Sequence, residues 1–240
     1  MRRLTRRRGL TPFMVLLAGF ETLLHRLSGQ EEFAVGVAAI GRGRVEIERL
    51  IGLFLNMLVL RADLSGEPTF AQVLDRVRDA SLEAFAHQDI PLEKLVEAVA
   101  PDRGRNAAPL FQVAFGFDRP PPAELRAGDV EMKLLDAEIT TARYDLTLWV
   151  REQSDGLDAT WTYSTDLFEA ETIERMHRQF ETLLAAAVSA PETCIADLEL
   201  RSATELQRDT VEQRNREDSK HQRLLRATPR VVSAASPSAE

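Results

Sequence analysis

Cysteine is nearly absent from this 240-residue sequence, and basic residues are fewer than acidic ones. Cys194 is the single cysteine, which excludes an internal disulfide and a cysteine-rich metal site. The sequence has 30 basic and 38 acidic residues, and the resulting net charge of −8 gives no electrostatic support for general nucleic-acid binding. The length nevertheless suffices for one sizeable hydrophobic core or two small ones.

Recognisable catalytic motifs are missing as well. The four histidines are isolated along the chain: His25, His87, His177 and His221. The sequence has no G-x-S-x-G nucleophile elbow, no H-E-x-x-H zinc helix and no glycine-rich phosphate loop. His87 and Asp89 are two residues apart, but such a pair needs a nucleophile to become catalytic, and none is evident. The sequence therefore predicts no catalytic residue and no metal site, and we expect His177 to pack rather than to bind a ligand.

The only concentration of positive charge is at the start of the sequence. Five arginines cluster there: Arg2, Arg3, Arg6, Arg7 and Arg8. The cluster fits a nucleic-acid or targeting arm, and it fits still better the solvated face of a helix. No hydrophobic signal-peptide core directly follows these arginines, so we expect a cytoplasmic protein.

Apolar residues that recur every three or four positions predict four helices. These cover residues 11–28, 69–86, 91–100 and 169–188. Thr11-Pro12 is a favourable helix start and Gly29 a favourable end, while Thr69 and Gln72 form a capping box. In the first helix we place Glu21 on the polar face, together with His25 and Arg26, and this polar face argues against a membrane span.

Alternating apolar residues and short apolar runs predict the strands. They cover residues 33–40, 51–61, 111–117, 130–135, 144–150 and 157–163, and the fourth is the weakest. In the first strand small residues oppose the apolar ones, which indicates close packing by a neighbour. We expect an α/β fold in which helices 11–28 and 169–188 cover one face of the strands. The polar stretch 201–240 is predicted to be a linker with a disordered tail.

The run from Ile51 to Arg61 is the most continuous apolar stretch after the first helix. Only Gly52 and Asn56 interrupt it. Its shortness predicts a strand or extended loop buried on both sides. A buried amide without partners costs about 1–3 kcal/mol, so we expect Asn56 to bond neighbouring backbone and hold two segments together. Direct contact with a substrate is the alternative.

Three segments carry a resemblance to a known family. The run Ile51–Arg61 resembles the motif I-G-x-F-x-N-x-x-x-x-R, and His87–Glu93 is similar to H-Q-D-x-P-x-E. Arg105–Phe111 resembles R-N-x-P-L-F with one extra alanine. Their order and spacing are those of condensation domains of nonribosomal peptide synthetases. The resemblance extends from about Leu10 to Leu200 and covers the second half of such a domain.

The resemblance implies a chloramphenicol-acetyltransferase-like two-layer α/β sandwich, of which this chain is the C-terminal half of the condensation-domain pseudo-dimer. Residues 1–200 correspond to the C-terminal subdomain and residues 201–240 to a linker and tail. The family forms amide bonds between carrier-bound aminoacyl or peptidyl thioesters. Its catalytic H-H-x-x-x-D-G stretch belongs to the N-terminal half, and no adjacent histidines occur here.

The implied partners are peptidyl or aminoacyl carrier proteins, the N-terminal condensation subdomain and a downstream adenylation domain. Neither nucleic acid nor a membrane is implied. No cofactor is expected to bind directly, because the substrates arrive on the phosphopantetheine arms of carrier proteins.

The resemblance also suggests a set of site residues. Four residues are expected near the junction of the two halves: Arg42, Arg44, Asn56 and Arg61. Arg42 and Arg44 lie in a glycine-containing loop, residues 41–44, and they fit a solvated turn as well as a phosphate site. The other motif residues are expected to be structural: His87, Gln88, Asp89, Arg105, Asn106 and Asp145. We predict a helix–helix corner with Asp89 as a cap and His87 packed or bonded to backbone, with a role in chemistry as the alternative. Asp145 belongs to a buried ion pair or faces water on an edge strand.

Three functional hypotheses follow. The first is an inactive remnant of a condensation enzyme from a truncated or misread gene, and the second is a split subunit that assembles with a separate N-terminal half. The third is a non-catalytic module that binds a carrier domain, or a different acyltransferase. In each case we expect the run Ile51–Arg61 to cross away from the sheet toward the other half, with its apolar residues partly exposed.

Overall fold

The described residues form five helices; four of them follow the predicted apolar periodicity, and the first lies in the arginine cluster at the start of the sequence. They are α1 (Arg2–Arg8), α2 (Pro12–Ser28), α3 (Phe70–Ala86), α4 (Leu92–Val99) and α5 (Ala170–Ser189). The computed structural model describes residues 1–40, 45–47, 49–99, 110–119, 124–133, 141–153 and 156–201. Thr11 caps α2 by accepting from the backbone N–H of Met14, and Gly29 ends α2 in the left-handed region with φ of 73°. The capping box of Thr69 and Gln72 at the start of α3 is also present.

Seven strands form the described sheets. They are β1 (Glu32–Ile40), β2 (Leu55–Asp63), β3 (Val113–Asp118), β4 (Glu124–Ala127), β5 (Val130–Lys133), β6 (Leu146–Glu152) and β7 (Leu157–Tyr163). Five of them make an open mixed sheet in the order β2-β1-β3-β6-β7. The pairs β1–β3 and β3–β6 are parallel, whereas β2 and β7 are antiparallel edge strands. The pair β4–β5 is a separate antiparallel hairpin, so the weak strand predicted at 130–135 does not join the main sheet.

The helices α2 and α5 pack on the same face of the sheet, as predicted. Phe20 of α2 lies 5.8 Å from the ring of Phe115 in β3 and 6.0 Å from that of Trp161 in β7. Phe180 of α5 lies 6.3 Å from Trp161 on the same side. One core cluster contains the inward residues of β1, β2, β3 and β6 together with α2, α3 and α5. The result is a two-layer α/β arrangement.

The opposite face of the sheet carries glycines at two places where aromatic rings lie against the backbone. A Cβ on Gly36 of β1 would lie 2.0 Å from the ring of Phe111, and one on Gly116 of β3 would lie 2.2 Å from the ring of Trp149. Any side chain at Gly36 would therefore displace Phe111, the last residue of the R-N-x-P-L-F-like motif. This close approach confirms the tight packing predicted for the first strand.

Three sequence-based predictions are wrong in detail. The run Ile51–Arg61 is not buried on both sides, since residues 51–54 precede the strand and Ile51 and Leu53 are 105% and 89% exposed. From Leu55 onward the run also does not cross away from the sheet, because it pairs with β1 as an edge strand. Glu21 does not lie on a polar face either: it is 3% exposed, since α3 and α5 both pack on α2 and leave it little solvent.

The described residues form one compact unit, Met1–Leu200. Its core extends to Ile195 and Leu198 beyond α5, where both side chains are buried. The predicted linker and tail lie outside the described residues from 202 onward. No helix within the described ranges combines the length and apolar character that crossing a membrane requires.

Candidate functional site

Asn56 makes three hydrogen bonds, two of which join the first two family motifs. Its side-chain amide donates to the carbonyl of Gln88 at 2.8 Å and to the carbonyl of Ile90 at 2.7 Å. Its Oδ1 accepts from the backbone N–H of Met57 at 2.9 Å. The side chain therefore fixes the start of β2 against the turn between α3 and α4, which is the role we expected. Asn56 is half-buried rather than fully enclosed.

The turn between α3 and α4 is the predicted helix–helix corner, but its side chains behave differently from expectation. His87 is the C-cap of α3 through its backbone N–H, which donates to Ala84, and its carbonyl accepts from Ile90. The His87 side chain is exposed, so it does not pack. Asp89 is also exposed and does not cap α4, because that helix begins after Pro91 and the Pro91 carbonyl accepts from its first turn.

The apolar stripe of α4 is covered less than the sequence suggested. Leu92, Leu95 and Val96 are half-buried, while Val99 is 64% exposed. The helix touches β2 but contributes no fully buried residue. The corner therefore sits at the surface of the described part of the chain.

A cluster of exposed apolar side chains lies next to this corner, on the segment that leads into β2. We call it the lead-in segment, residues 49–55. Its exposed apolar residues are Leu50, Ile51, Leu53 and Leu55. Monomeric soluble proteins seldom expose so many large apolar side chains in one short stretch without a partner. Because Asn56, the residue that follows the segment, bonds to the corner, the end of the segment lies beside it.

Arg61 lies on the outer face of β2 and pairs with Glu32 of the neighbouring strand. The distance from Nη2 to the Glu32 carboxylate is 2.6 Å, and the hydrogen bond and charge of Glu32 raise the pKa of the guanidinium above its ordinary value. Nearby, Asp63 accepts from the backbone N–H and hydroxyl of Ser65, and these bonds lower the pKa of its carboxyl. Arg61 is thus engaged in a surface pair between strands.

Asp145 is half-buried at the start of β6 and uses its backbone to hold three segments together. Its N–H donates to the carbonyl of Gln112 at 3.0 Å, and its carbonyl accepts from the N–H of Ser164 at 3.0 Å. Beside it, the ring of Tyr144 lies 5.0 Å from that of Phe111. The carboxylate has no ion-pair partner within the described residues, so the buried ion pair is not found there. Phe111 of the third motif-like segment and Tyr144, the neighbour of Asp145, thus meet here.

Four of the predicted site residues lie outside the described residues. These are Arg42, Arg44, Arg105 and Asn106. Their placement at a junction or in a structural motif stays a prediction.

Two polar features escaped the sequence analysis. The indole N–H of Trp161 donates to Nδ1 of His177 at 3.2 Å, so His177 has a specific partner rather than only packing contacts. The i, i+4 spacing of His177 and Glu181 was the available signal, but Trp161 comes from a strand far away in sequence. Burial raises the pKa of Glu21 to about 8. No pattern in the neighbouring sequence predicted this burial, because it results from the packing of other helices on α2.

The described residues offer little for catalysis by themselves. Within these ranges no three His, Cys, Asp or Glu side chains lie close enough to hold a metal ion. His87, the one histidine inside a motif, points to solvent beside the corner.

Comparisons with known proteins agree with this arrangement. The family model for the condensation domain matches residues 1–208. The chain is 46% identical over 210 residues to a linear gramicidin synthase from Brevibacillus parabrevis, an alignment that covers 85% of this chain and 4% of that protein. The chain thus spans only a small part of the curated relatives that it matches.

Solved structures show the same fold. A four-domain nonribosomal peptide synthetase bound to AMP and glycine superposes with a TM-score of 0.77 at 26% identity, covering 84% of this chain and 16% of that one. The first condensation domain of the CDA synthetase superposes with a TM-score of 0.68 at 19% identity, covering 83% of this chain and 44% of that domain. The fold is therefore chloramphenicol-acetyltransferase-like, and the chain belongs to the condensation-domain family of nonribosomal peptide synthetases.

Proposed function

We propose that this chain forms one lobe of a condensation domain that joins two carrier-bound aminoacyl or peptidyl groups by an amide bond. In this proposal the chain supplies one wall of the site, and a second lobe with the H-H-x-x-x-D-G stretch supplies the base. The chain is inactive without that lobe. The partners are carrier proteins whose phosphopantetheine arms deliver the substrates, and an adenylation domain acts in the same assembly.

The observation that carries this proposal is the anchored lead-in segment. Ile51 and Leu53 are almost fully exposed, yet Asn56 fixes the end of the segment to the α3–α4 corner. An apolar surface held in place is suited to docking, because little conformational entropy is lost when a partner covers it. The coverage of 44% of a solved condensation domain leaves room for such a second lobe.

The chemistry of the described residues supports inactivity of the isolated chain. A general base has to reach the attacking amine within about 3 Å or through one water. His87 is exposed at the corner and has no carboxylate partner to orient its ring within the described residues. A missing base costs about 10²–10⁴-fold in rate, so positioning alone leaves only weak residual aminolysis.

The decisive experiment reconstitutes the two lobes. The purified chain is incubated with two carrier proteins loaded with aminoacyl groups, with and without a separately produced lobe that carries H-H-x-x-x-D-G, and dipeptidyl carrier is measured by mass spectrometry. We expect product only with both lobes. His87→Ala should then leave turnover within about threefold, because His87 contributes no proton transfer.

Two results would overturn the proposal. One is turnover by the isolated chain that disappears in His87→Ala, which would place the base at the corner. The other is tight binding of a loaded carrier by the isolated chain without turnover in any combination, which would favour the non-catalytic carrier-binding module.

A further inference from the structure

Strand β7 forms one edge of the five-stranded sheet, and the bonds at its ends show which of its backbone groups point outward. The N–H of Gln153 donates to the carbonyl of Gly156 at 2.9 Å, and the N–H of Ser164 donates to the carbonyl of Asp145 at 3.0 Å. Both bonds follow the register of the β6–β7 pair, in which bonding toward one neighbour alternates from residue to residue. The even-numbered residues of β7 therefore bond to β6, and the odd-numbered residues present their N–H and C=O groups to the open edge. These outward residues are Leu157, Ala159, Trp161 and Tyr163.

Within the described part of the chain, no group bonds to the outward N–H and C=O groups of β7. The opposite edge of the sheet is different. In β2 the odd-numbered residues point outward, because the even-numbered ones bond to β1. Oδ1 of Asn56 accepts from the outward N–H of Met57 at 2.9 Å, and the guanidinium of Arg76 donates to the outward carbonyl of Asp63 at 2.9 Å. Unprotected edge strands readily pair with another strand, so β7 rather than β2 is the edge open to a partner.

The sequence of β7 is complementary to a second, antiparallel copy of itself. A two-fold axis at Thr160 creates two kinds of cross-strand pair, Leu157 with Tyr163 and Ala159 with Trp161. In this register every outward N–H and C=O group of both strands finds a partner. The two kinds of pair lie on the face of the sheet that the helices cover, where the Trp161 ring also meets α2. Aromatic side chains opposite aliphatic ones stabilise an antiparallel pair, and so do two threonines opposite each other.

Other positions of the axis fit less well. An axis at Asp158 would place two carboxylates directly opposite each other, which destabilises a strand pair. Every axis away from Thr160, such as one at Ala159 or Trp161, leaves outward residues at the strand ends without a partner inside β7. The axis at Thr160 also places each Asp158 opposite Thr162, away from the carboxylate of the other copy. One register therefore combines complete bonding with separated charges.

We propose that two copies of this chain associate through β7 into a symmetric dimer with one continuous sheet. Thr160 lies at the two-fold axis, and the helices of both copies cover the same face of that sheet. The lead-in segment precedes β2 at the opposite edge, so this contact is separate from the docking surface of the proposed function. A pairing of two single strands is a small interface, and we therefore expect a weak, reversible dimer with a dissociation constant on the order of 100 µM.

Analytical ultracentrifugation of the full chain from about 5 to 500 µM tests this inference, because that range brackets the expected dissociation constant. We expect a reversible monomer–dimer equilibrium. Ala159→Pro should weaken the dimer at least about tenfold, because the proline ring occupies the open edge and removes an outward donor while the bonds between β6 and β7 remain. A chain that stays monomeric over the whole range overturns the proposal and leaves the edge to a strand of another protein.

Substitutions at Thr160 test the position of the axis. Thr160 is exposed, so the folded chain accommodates a charge there. At low ionic strength, Thr160→Asp and Thr160→Lys should each associate about 3–10-fold more weakly than the parent chain, because like charges then lie directly opposite each other. An equimolar mixture of the two variants should associate at least as strongly as the parent chain, because the facing charges are then of opposite sign. Thr141→Asp, at an exposed position outside β7, should behave as the parent chain does.

Two further results would contradict this assignment. One is a mixture of the Thr160 variants that associates no better than either variant alone, which would move the contact away from the proposed axis. The other is loss of the dimer in Leu53→Asp, which would assign the association to the lead-in segment. Each variant is first checked by circular dichroism, and the Thr160 variants decide the outcome if Ala159→Pro changes the parent spectrum.

Discussion

Asn56 and Glu21 are two polar side chains in different environments: the first is hydrogen-bonded to backbone, and the second is shifted in pKa by burial. Asn56 is half-buried and fully used, with both of its polar atoms bonded to backbone of the corner and the strand. Glu21 is buried, and burial alone accounts for the pKa of about 8. A carboxyl with this pKa carries its proton at neutral pH, because the charged form would lose its hydration without compensation.

The first prediction concerns Glu21 and pH. Its folded-state pKa of about 8 lies above the ordinary 4.5, so the folded chain holds a proton that the unfolded chain releases between these values. The contribution of Glu21 to stability is therefore full below pH 4.5 and is lost as the pH rises through about 8. At about 1.4 kcal/mol per pKa unit, the upper bound of the loss is about 5 kcal/mol.

Glu21→Gln should remove this pH dependence. Urea unfolding at pH 5, 6, 7 and 8 should show the variant gaining stability over the parent chain as the pH rises. Glu174→Gln, at an exposed position, should leave the parent curve unchanged. A constant difference between Glu21→Gln and the parent chain across this range would contradict the prediction.

The second prediction concerns Asn56. Asn56→Ala leaves the carbonyls of Gln88 and Ile90 without their donor, and we expect a loss of about 1–3 kcal/mol in the free energy of unfolding. Hydrogen exchange at the Ile90 N–H should accelerate as the corner loosens. Gln88→Ala is the matched control, since only the main-chain carbonyl of Gln88 is bonded to Asn56. Equal losses in the two variants would show that Asn56 is not the anchor.

At the scale of elements, the apolar run from Ile51 to Arg61 has two parts with different environments. The lead-in segment is exposed, whereas β2 buries Leu58 and Leu60 under the helices and exposes Arg61 on the other face. The pairing of β2 with β1 fixes which side chains face the helices. In this register Leu58 and Leu60 lie on the face of the sheet that the helices cover. The same run thus serves as core and as surface.

The third prediction separates these two parts with one kind of substitution. Leu53→Asp should raise the soluble fraction of the expressed chain and leave the urea unfolding midpoint nearly unchanged, because the side chain is 89% exposed. Leu60→Asp places an unpaired carboxylate in the core and should cost more than about 4 kcal/mol. If Leu53→Asp prevents folding, the lead-in segment is part of the core after all.

At the scale of the whole molecule, the core closes with a segment beyond the last helix. Ile195 and Leu198 are buried, and their backbone carbonyls accept from the guanidinium of Arg26 at 2.6 and 2.9 Å. A further bond joins the Ile195 N–H to the Pro68 carbonyl at 2.9 Å. This segment ties the end of α2 to the start of α3.

The fourth prediction concerns the extent of this folding unit. A chain that ends at residue 208 should unfold with a free energy within about 1 kcal/mol of the full chain, since the known core ends before it. A chain that ends at residue 190 loses Ile195 and Leu198 and should be less stable by about 3–6 kcal/mol. Urea unfolding of the three lengths measures both effects. A large loss on ending at residue 208 would place core residues beyond Leu200.

Much of the fold followed from local signals. Thr11 and Gly29 marked the ends of α2, the capping box at Thr69 marked α3, and the alternation in β6 and β7 gave their strands. The candidate site was harder, because its geometry depends on which segments meet. That Asn56 would bond backbone was predictable from the cost of an unpaired amide, but the partners, 32 and 34 residues away, were not.

The sequence by itself determined the family, the helix ends and the two-layer α/β class, because capping, periodicity and motif order are properties of neighbouring residues. Tertiary structure alone decided the burial of Glu21, the exposure of His87 and the contact of His177 with Trp161. Each of these depends on how elements distant in sequence pack around the residue, and the number of neighbours in space sets both solvent access and available partners.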